Sequence, residues 1–530
     1  MDRRNFVKLG IALGAGSAIS SPVLAADGKT FASIIEADVT ELQAQMQSGK
    51  LTSTALTEHY LERIKAIDKS GPRLNAIIEL NPDALAIAKA LDKERKKSGP
   101  RGPLHGIPVL IKDNIATADR MQTTAGSLAL VGAKAPRDAF LVKQLRAAGA
   151  IILGKTNLSE WANMRSSRST SGWSGRGGLT LNPYALDRNC SGSSSGSAAA
   201  VAASLATLAV GSETDGSVVS PASLCSLVGI KPTLGLISRD GIIPIAHSQD
   251  TAGPMTRTVR DAAILLTALA GADERDSATT NTKFTDYTQF LDTNGLKGAR
   301  IGITRNAMAS NLRQQAIVDQ AIEVLKQQGA ILVDVELPNM TKYADSELEV
   351  LLYELKADLN KYLAEFGKGS AVSSLADVIA FNEKNRSKEM PYFDQELLIK
   401  AQNKGDLSSE AYIAALTNNH QYSRAEGIDQ IMKEQKLDAL FASTGGPAWI
   451  NDYINGDHII DGFSTPAAVA GYPHITVPAG FFAGLPVGVS FVAGPYAEGM
   501  IIKLAYAYEQ ASKKRRVPTY LAHSLNESPT

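Results

Sequence analysis

The sequence predicts an α/β layered fold, and three observations carry that prediction. Amphipathic helical stretches alternate with short, wholly apolar runs such as residues 109–111 and 150–154, the pattern of buried strands covered by helices. Hydrophobic residues make up 44% of the 530 and charged residues 20%, enough apolar surface for a large core and too much for a disordered chain. No internal repeat and no linker divides the chain, so its length is read as one large domain.

The first 26 residues stand apart from that domain. Arg3-Arg4 lead into an apolar, glycine- and alanine-rich run over residues 9–19, and Ser20-Ser-Pro-Val-Leu-Ala25 closes with small residues suited to cleavage. This is the three-part form of a signal peptide, and Arg3-Arg4 with Phe6 and Lys8 resembles the twin-arginine class. The run is shorter than the ~20 residues that span a bilayer. The expectation is a signal peptide over 1–26, a mature domain over 27–520, a polar tail over 521–530, and a periplasmic or secreted location.

Residues 27–68 read as two amphipathic helices; in the second, Leu56, Tyr60 and Ile64 repeat at a spacing of four behind an N-cap at Thr52 or Ser53. Asn81-Pro82-Asp83 opens a third helix that gathers lysines towards its end. A Gly/Pro-rich turn over 99–108 enters the strand 109–111; a helix over 138–148 and a strand over 150–154 follow. Residues 160–188 are polar and loop-like, with Trp161 and Trp173 read as packing residues, as are Trp449 and Tyr472 further on. Residues 197–210 read as one alanine-rich helix. Further helices are expected over 256–270, 314–329 and 499–512, and strands over 298–304, 331–335, 437–441, 475–478 and 486–492. Residues 340–435 read as largely helical, peripheral or facing substrate. The alternation favours parallel strands.

Composition narrows the function. Lys+Arg and Asp+Glu both number 54, which removes the electrostatic case for nucleic acid or an anionic membrane as partner. The two cysteines, Cys190 and Cys225, make no disulfide framework and read as buried thiols. The seven histidines show no paired ligand spacing, so no metal is expected, and no cofactor either.

What remains is nucleophilic chemistry without histidine. Two hydroxyl- and glycine-rich loops, one at Cys190-Ser-Gly-Ser-Ser-Ser-Gly-Ser197 and one at Gly211-Ser-Glu-Thr-Asp-Gly-Ser217, flank an apolar segment. Lys112 follows five residues that are apolar or proline. A lysine can act as base only when neutral, and burial at a strand end favours the neutral form. Alternation along the strand sends Asp113 to the opposite face. Gly192 and Gly196 permit unusual backbone angles, and Thr214-Asp215-Gly216-Ser217 can form a tight turn whose N–H groups converge as an oxyanion hole. Asp215 is read as a turn residue.

At these residues the sequence resembles the amidase signature family. The matching pieces are Gly106-Ile-Pro-Val-Leu-Ile-Lys-Asp-Asn114, Thr124-Ala-Gly-Ser127, Gly154-Lys-Thr-Asn-Leu-Ser-Glu160, Gly192-Ser-Ser-Ser-Gly-Ser-Ala198, Gly211-Ser-Glu-Thr-Asp-Gly-Ser217, Ala470-Gly-Tyr-Pro-His-Ile-Thr-Val-Pro-Ala-Gly480 and Gly484-Leu-Pro-Val-Gly488. The resemblance implies a large mixed central β-sheet covered by helices on both faces. It makes Ser217 the nucleophile, Ser193 the bridging serine behind a cis peptide bond, and Lys112 the base, with Gly192 and Ser194 supporting. Where the family's nucleophile loop is often Gly-Gly-Ser-Ile-Arg, this chain has Asp215-Gly-Ser-Val-Val219, which argues against small anionic substrates and transamidation. Glu213-Thr-Asp-Gly-Ser217 and Asn157-Leu-Ser-Glu-Trp-Ala-Asn163 are similar to the peptide amidase branch, which implies small-molecule or peptide amides as substrates. Two alternatives stand beside this one. The first is a serine esterase using Ser194 or another triad, which needs an essential histidine. The second is a non-catalytic binding protein on the same scaffold, which would have lost Lys112 or Ser217.

Overall fold

The computed structural model describes residues 34–280 and 282–524; the expected signal peptide lies outside them. Residues 34 and 35 fall to a separate N-terminal unit, and the description below concerns residues 36–524. Of the expected polar tail, Leu521 pairs with Ala185 in an isolated parallel bridge.

The strands in chain order are β1 (Ile77–Leu80), β2 (Pro108–Lys112), β3 (Ile151–Thr156), β4 (Trp173–Ser174), β5 (Gly178–Leu179), β6 (Leu208–Glu213), β7 (Val228–Lys231), β8 (Thr251–Thr256), β9 (Arg300–Thr304), β10 (Ile331–Val335), β11 (Ala439–Ser443), β12 (His474–Phe482) and β13 (Leu485–Val492). Strands β4 and β5 form a small hairpin; the other eleven form one sheet in the order β1-β3-β2-β6-β8-β7-β12-β13-β11-β9-β10. Within it β2 pairs in parallel with β3 and β6, and β9 with β10 and β11. The remaining neighbours run antiparallel. The sheet is therefore mixed, and the expectation of parallel strands holds only for two separated groups. Helical segments dominate between β10 and β11, led by Ala344–Phe366. Among the described residues no helix is long and apolar enough to cross a membrane.

The helix expected over 197–210 is a correction. It spans Ser195–Ala202 only, and the chain then turns into β6, which lies between β2 and β8. Every residue of both elements is buried, so neither shows the alternation that separates strand from helix. Strands β1, β4, β5, β7 and β8 have no counterpart in the sequence reading. In β8, a strand that contains Gly253 and Pro254, Pro254 stands opposite Val210 within the sheet. A side chain at Gly253 would collide with the Ile230 carbonyl, so close strand approach sets that residue.

Candidate active site

Three elements converge on one buried point. Lys112 ends β2; Ser193 precedes the helix Ser195–Ala202; Ser217 lies in the turn between β6 and the helix Val219–Leu224. The two serine-bearing loops are stitched together by Ser194, whose backbone N–H donates to the Ser217 carbonyl at 3.2 Å. The Ser194 hydroxyl donates to the Ser212 carbonyl at 3.1 Å and accepts from the Ser212 N–H at 3.2 Å. That hydroxyl is a structural brace on β6, which removes the ground for a nucleophile at Ser194.

The Lys112 side-chain nitrogen lies 2.6 Å from Ser193 Oγ, 2.9 Å from Ser212 Oγ and 3.0 Å from the Ser212 carbonyl. Asn114 Nδ2 donates to the same Ser212 hydroxyl at 2.9 Å. Lys112 and Ser193 are 0% exposed while Ser217 keeps 7%, so only Ser217 of the three meets the outside. Burial pushes the Lys112 pKa down to about 7, with Asp250 and Glu213 pulling the other way. Asp113 takes no part: its carboxylate is buried against Thr124 Oγ1, the Gly126 N–H and Arg176 on the other side of the strand. The bond between Gly192 and Ser193 is cis.

Carboxylates hold the turn around Ser217 on both sides. Glu213 accepts from the N–H groups of Val218 and Val219 at 2.8 and 3.0 Å. Thr214 Oγ1 donates to Asp250 at 2.5 Å, and the other Asp250 oxygen accepts from the N–H groups of Ile245 and Ala246. Burial raises the Asp250 pKa to about 6. Thr465 Oγ1 donates to Asp215 at 2.6 Å, so the Asp215 side chain ties the turn to the C-terminal part of the chain. Gly216 has φ +74°, and a side chain there would press on Ser220 Oγ and Ser464 Oγ. The N–H groups of Thr214, Asp215, Gly216 and Ser217 donate to no other described residue.

Sequence reasoning missed Ser212, Asp250 and Glu213 as site residues. Ser212 and Glu213 sit in the Gly211–Ser217 loop and could have been found there, whereas Asp250 carries no local motif. Cys190 and Cys225 are buried and form no disulfide; Asn182 Nδ2 bridges the carbonyls of Asn189 and Leu224, the residues just before each cysteine. His247 meets Asp358 at 2.8 Å and Glu354 at 3.4 Å, a cluster that histidine spacing did not reveal; both ring nitrogens already face carboxylates. Trp173 packs edge-on against Tyr392 and Phe393, while Trp449 lines a small cavity beside the serine-bearing loops.

A dry lysine against one serine, beside a glycine turn that carries another, equips an enzyme for nucleophilic attack without histidine. The chain belongs to the amidase family, whose model matches residues 55–502, and it is an amidase-signature hydrolase of amide bonds. It is 44% identical over 503 residues to an Arabidopsis thaliana protein named a probable amidase, covering 92% of this chain and 93% of that one. It is 36% identical to a glutamyl-tRNA(Gln) amidotransferase subunit from Chloroflexus aurantiacus, over 90% of this chain and 96% of that one. Among solved structures, the native peptide amidase of Stenotrophomonas maltophilia superposes with a TM-score of 0.88 at 51% identity, covering 92% of this chain and 99% of that one. A peptide amidase in complex with the competitive inhibitor chymostatin matches with a TM-score of 0.89 at 51% identity, covering 91% and 99%.

Proposed function

We propose that the protein hydrolyses C-terminal amides of peptides through an acyl-enzyme, with Ser217 as nucleophile, Ser193 as proton bridge and Lys112 as base. The observation that carries this reading is the 2.6 Å contact between Lys112 Nζ and Ser193 Oγ in a fully buried site. A neutral amine has two N–H donors and one lone pair. The Ser212 carbonyl can only accept, and Ser212 Oγ has two lone pairs, one for Asn114 and one for Lys112; with both amine donors placed on Ser212, the lone pair is left for the Ser193 hydroxyl. Lys112 then draws the Ser193 proton as Ser193 draws that of Ser217, which attacks the amide carbonyl. The four unpaired N–H groups of residues 214–217 supply donors for the oxyanion. The proton returns through Ser193 to the departing ammonia, and water cleaves the ester by the reverse route.

The 51% identity to peptide amidases supports the substrate class. Relatives named as components of a glutamyl-tRNA(Gln) amidotransferase make glutamine the second candidate. Broad aryl or aliphatic amidase or esterase activity is the third. The test is ammonia release from peptide amides, aryl and aliphatic amides and glutamine by the wild type and Ser217→Ala. The expected result is peptide amides leading and a loss of at least about 10³-fold in Ser217→Ala; near wild-type turnover in that variant would overturn the mechanism. The arginine pair and apolar run of residues 1–26 support export in folded form, with residues 27–520 as the working domain and no membrane or nucleic-acid partner.

A further inference from the structure

The segment between β11 and β12 meets the turn that carries Ser217: Thr465 Oγ1 donates to Asp215, and Ser464 lies against Gly216. We infer that Trp449 and Ile459 in this segment form an apolar subsite for the side chain on the acyl side of the scissile amide, and that this side chain is aliphatic. The inference rests on the proposed function and adds a specificity to it.

A cavity of about 30 Å³ lies between this segment and the helix that follows Ser217. Ser191 lines it from the first serine-bearing loop and Ser220, Ser223 and Leu224 from the helix Val219–Leu224, while Trp449 and Ile459, with Gly445, Gly446 and Asp461, close it from the segment. Ser191 stands two residues before Ser193 and Ser220 three residues after Ser217, and Gly216 abuts Ser220 Oγ. The cavity therefore adjoins the turn that holds the nucleophile. Its volume exceeds the ~10–15 Å³ one water needs, so it admits a few heavy atoms and no more.

Ile459 is 65% exposed although both sides of it are anchored. Asp457 accepts from the Ser171 N–H at 2.9 Å, the Ser171 hydroxyl at 2.5 Å and the Trp449 indole at 3.2 Å. Asp461 accepts from the Ser310 N–H and hydroxyl at 3.0 and 2.9 Å, and its carbonyl takes the Gly446 N–H at 3.2 Å. An isoleucine fixed against water beside a reactive turn gains free energy when an apolar group covers it. Ile454 is 84% exposed on the same segment but does not line the cavity, so it provides an internal control.

The experiment compares kcat/KM for N-acetylglycyl-leucinamide and N-acetylglycyl-glycinamide in the wild type, Ile459→Ser, Ile454→Ser and Ser217→Ala. Ile459→Ser is expected to lower the leucinamide value about tenfold, mainly through KM, and to leave glycinamide within about twofold. Ile454→Ser is expected to move neither. An unchanged leucinamide-to-glycinamide ratio in Ile459→Ser, or an equal fall in Ile454→Ser, overturns the subsite while a dead Ser217→Ala keeps the mechanism. Turnover surviving in Ser217→Ala overturns the mechanism and leaves the ratio readable. A wild type that cleaves neither amide overturns both.

Discussion

Lys112 has lost its water and kept two carboxylates within electrostatic reach. Burial disfavours the ammonium and brings its pKa to about 7; Asp250 and Glu213 favour the ammonium. A base must be unprotonated, so kcat/KM is expected to rise as pH increases through about 7. Asp250→Asn removes one group that raises this pKa, so the acid limb is expected to move to lower pH, by about half a unit. A pH–rate profile of kcat/KM on a peptide amide checks both; a shift to higher pH in Asp250→Asn would sink the electrostatic assignment. Lys112 and the two serines were legible in the sequence because each sits in a contiguous motif. Asp250 was not, because it reaches the site only through the fold: its bond to Thr214 joins the first residue of the turn to a loop 36 positions later.

Two elements carry the serines, and both depend on small residues. In the helix Ser195–Ala202 the residues from Gly196 to Ala202 are small except Val201, and all are buried. Gly196 faces the carbonyls of Ala76 and Asn157, where an added methyl would strike rigid backbone. Gly196→Ala is expected to destabilise the protein by about 3 kcal/mol, in the upper range for overpacking, and to lower activity by shifting Ser193. Guanidinium unfolding of the variant beside the wild type measures it; a midpoint unchanged would mean that the helix can slide. The boundary between this helix and β6 was the least legible feature of the chain. Ala198–Ala203 and Leu208–Val210 are equally apolar, so periodicity has nothing to act on, and only the slot between β2 and β8 decides that the second stretch is extended.

At the scale of the whole molecule, one sheet joins distant parts of the chain: β12 hydrogen-bonds to β7, so strands from residues 228–231 and 474–482 are neighbours. Under the twin-arginine reading, a chain that folds without disulfides around such a sheet is exported only after it is complete. Replacing Arg3 and Arg4 with lysine is therefore expected to leave the amidase activity in the cytoplasmic fraction, and fractionation of cells expressing the two forms checks it; activity still exported would refute the reading. The sequence by itself determined the α/β class and most of the strand positions, and it singled out Lys112, Ser193 and Ser217 as candidates, because those are written in local apolar runs and short motifs. Only the tertiary structure decided strand order and direction, the carboxylates around the turn and the cavity under Ile459. These depend on residues brought together from distant parts of the chain, and pairing across a sheet leaves no periodic trace in either strand alone.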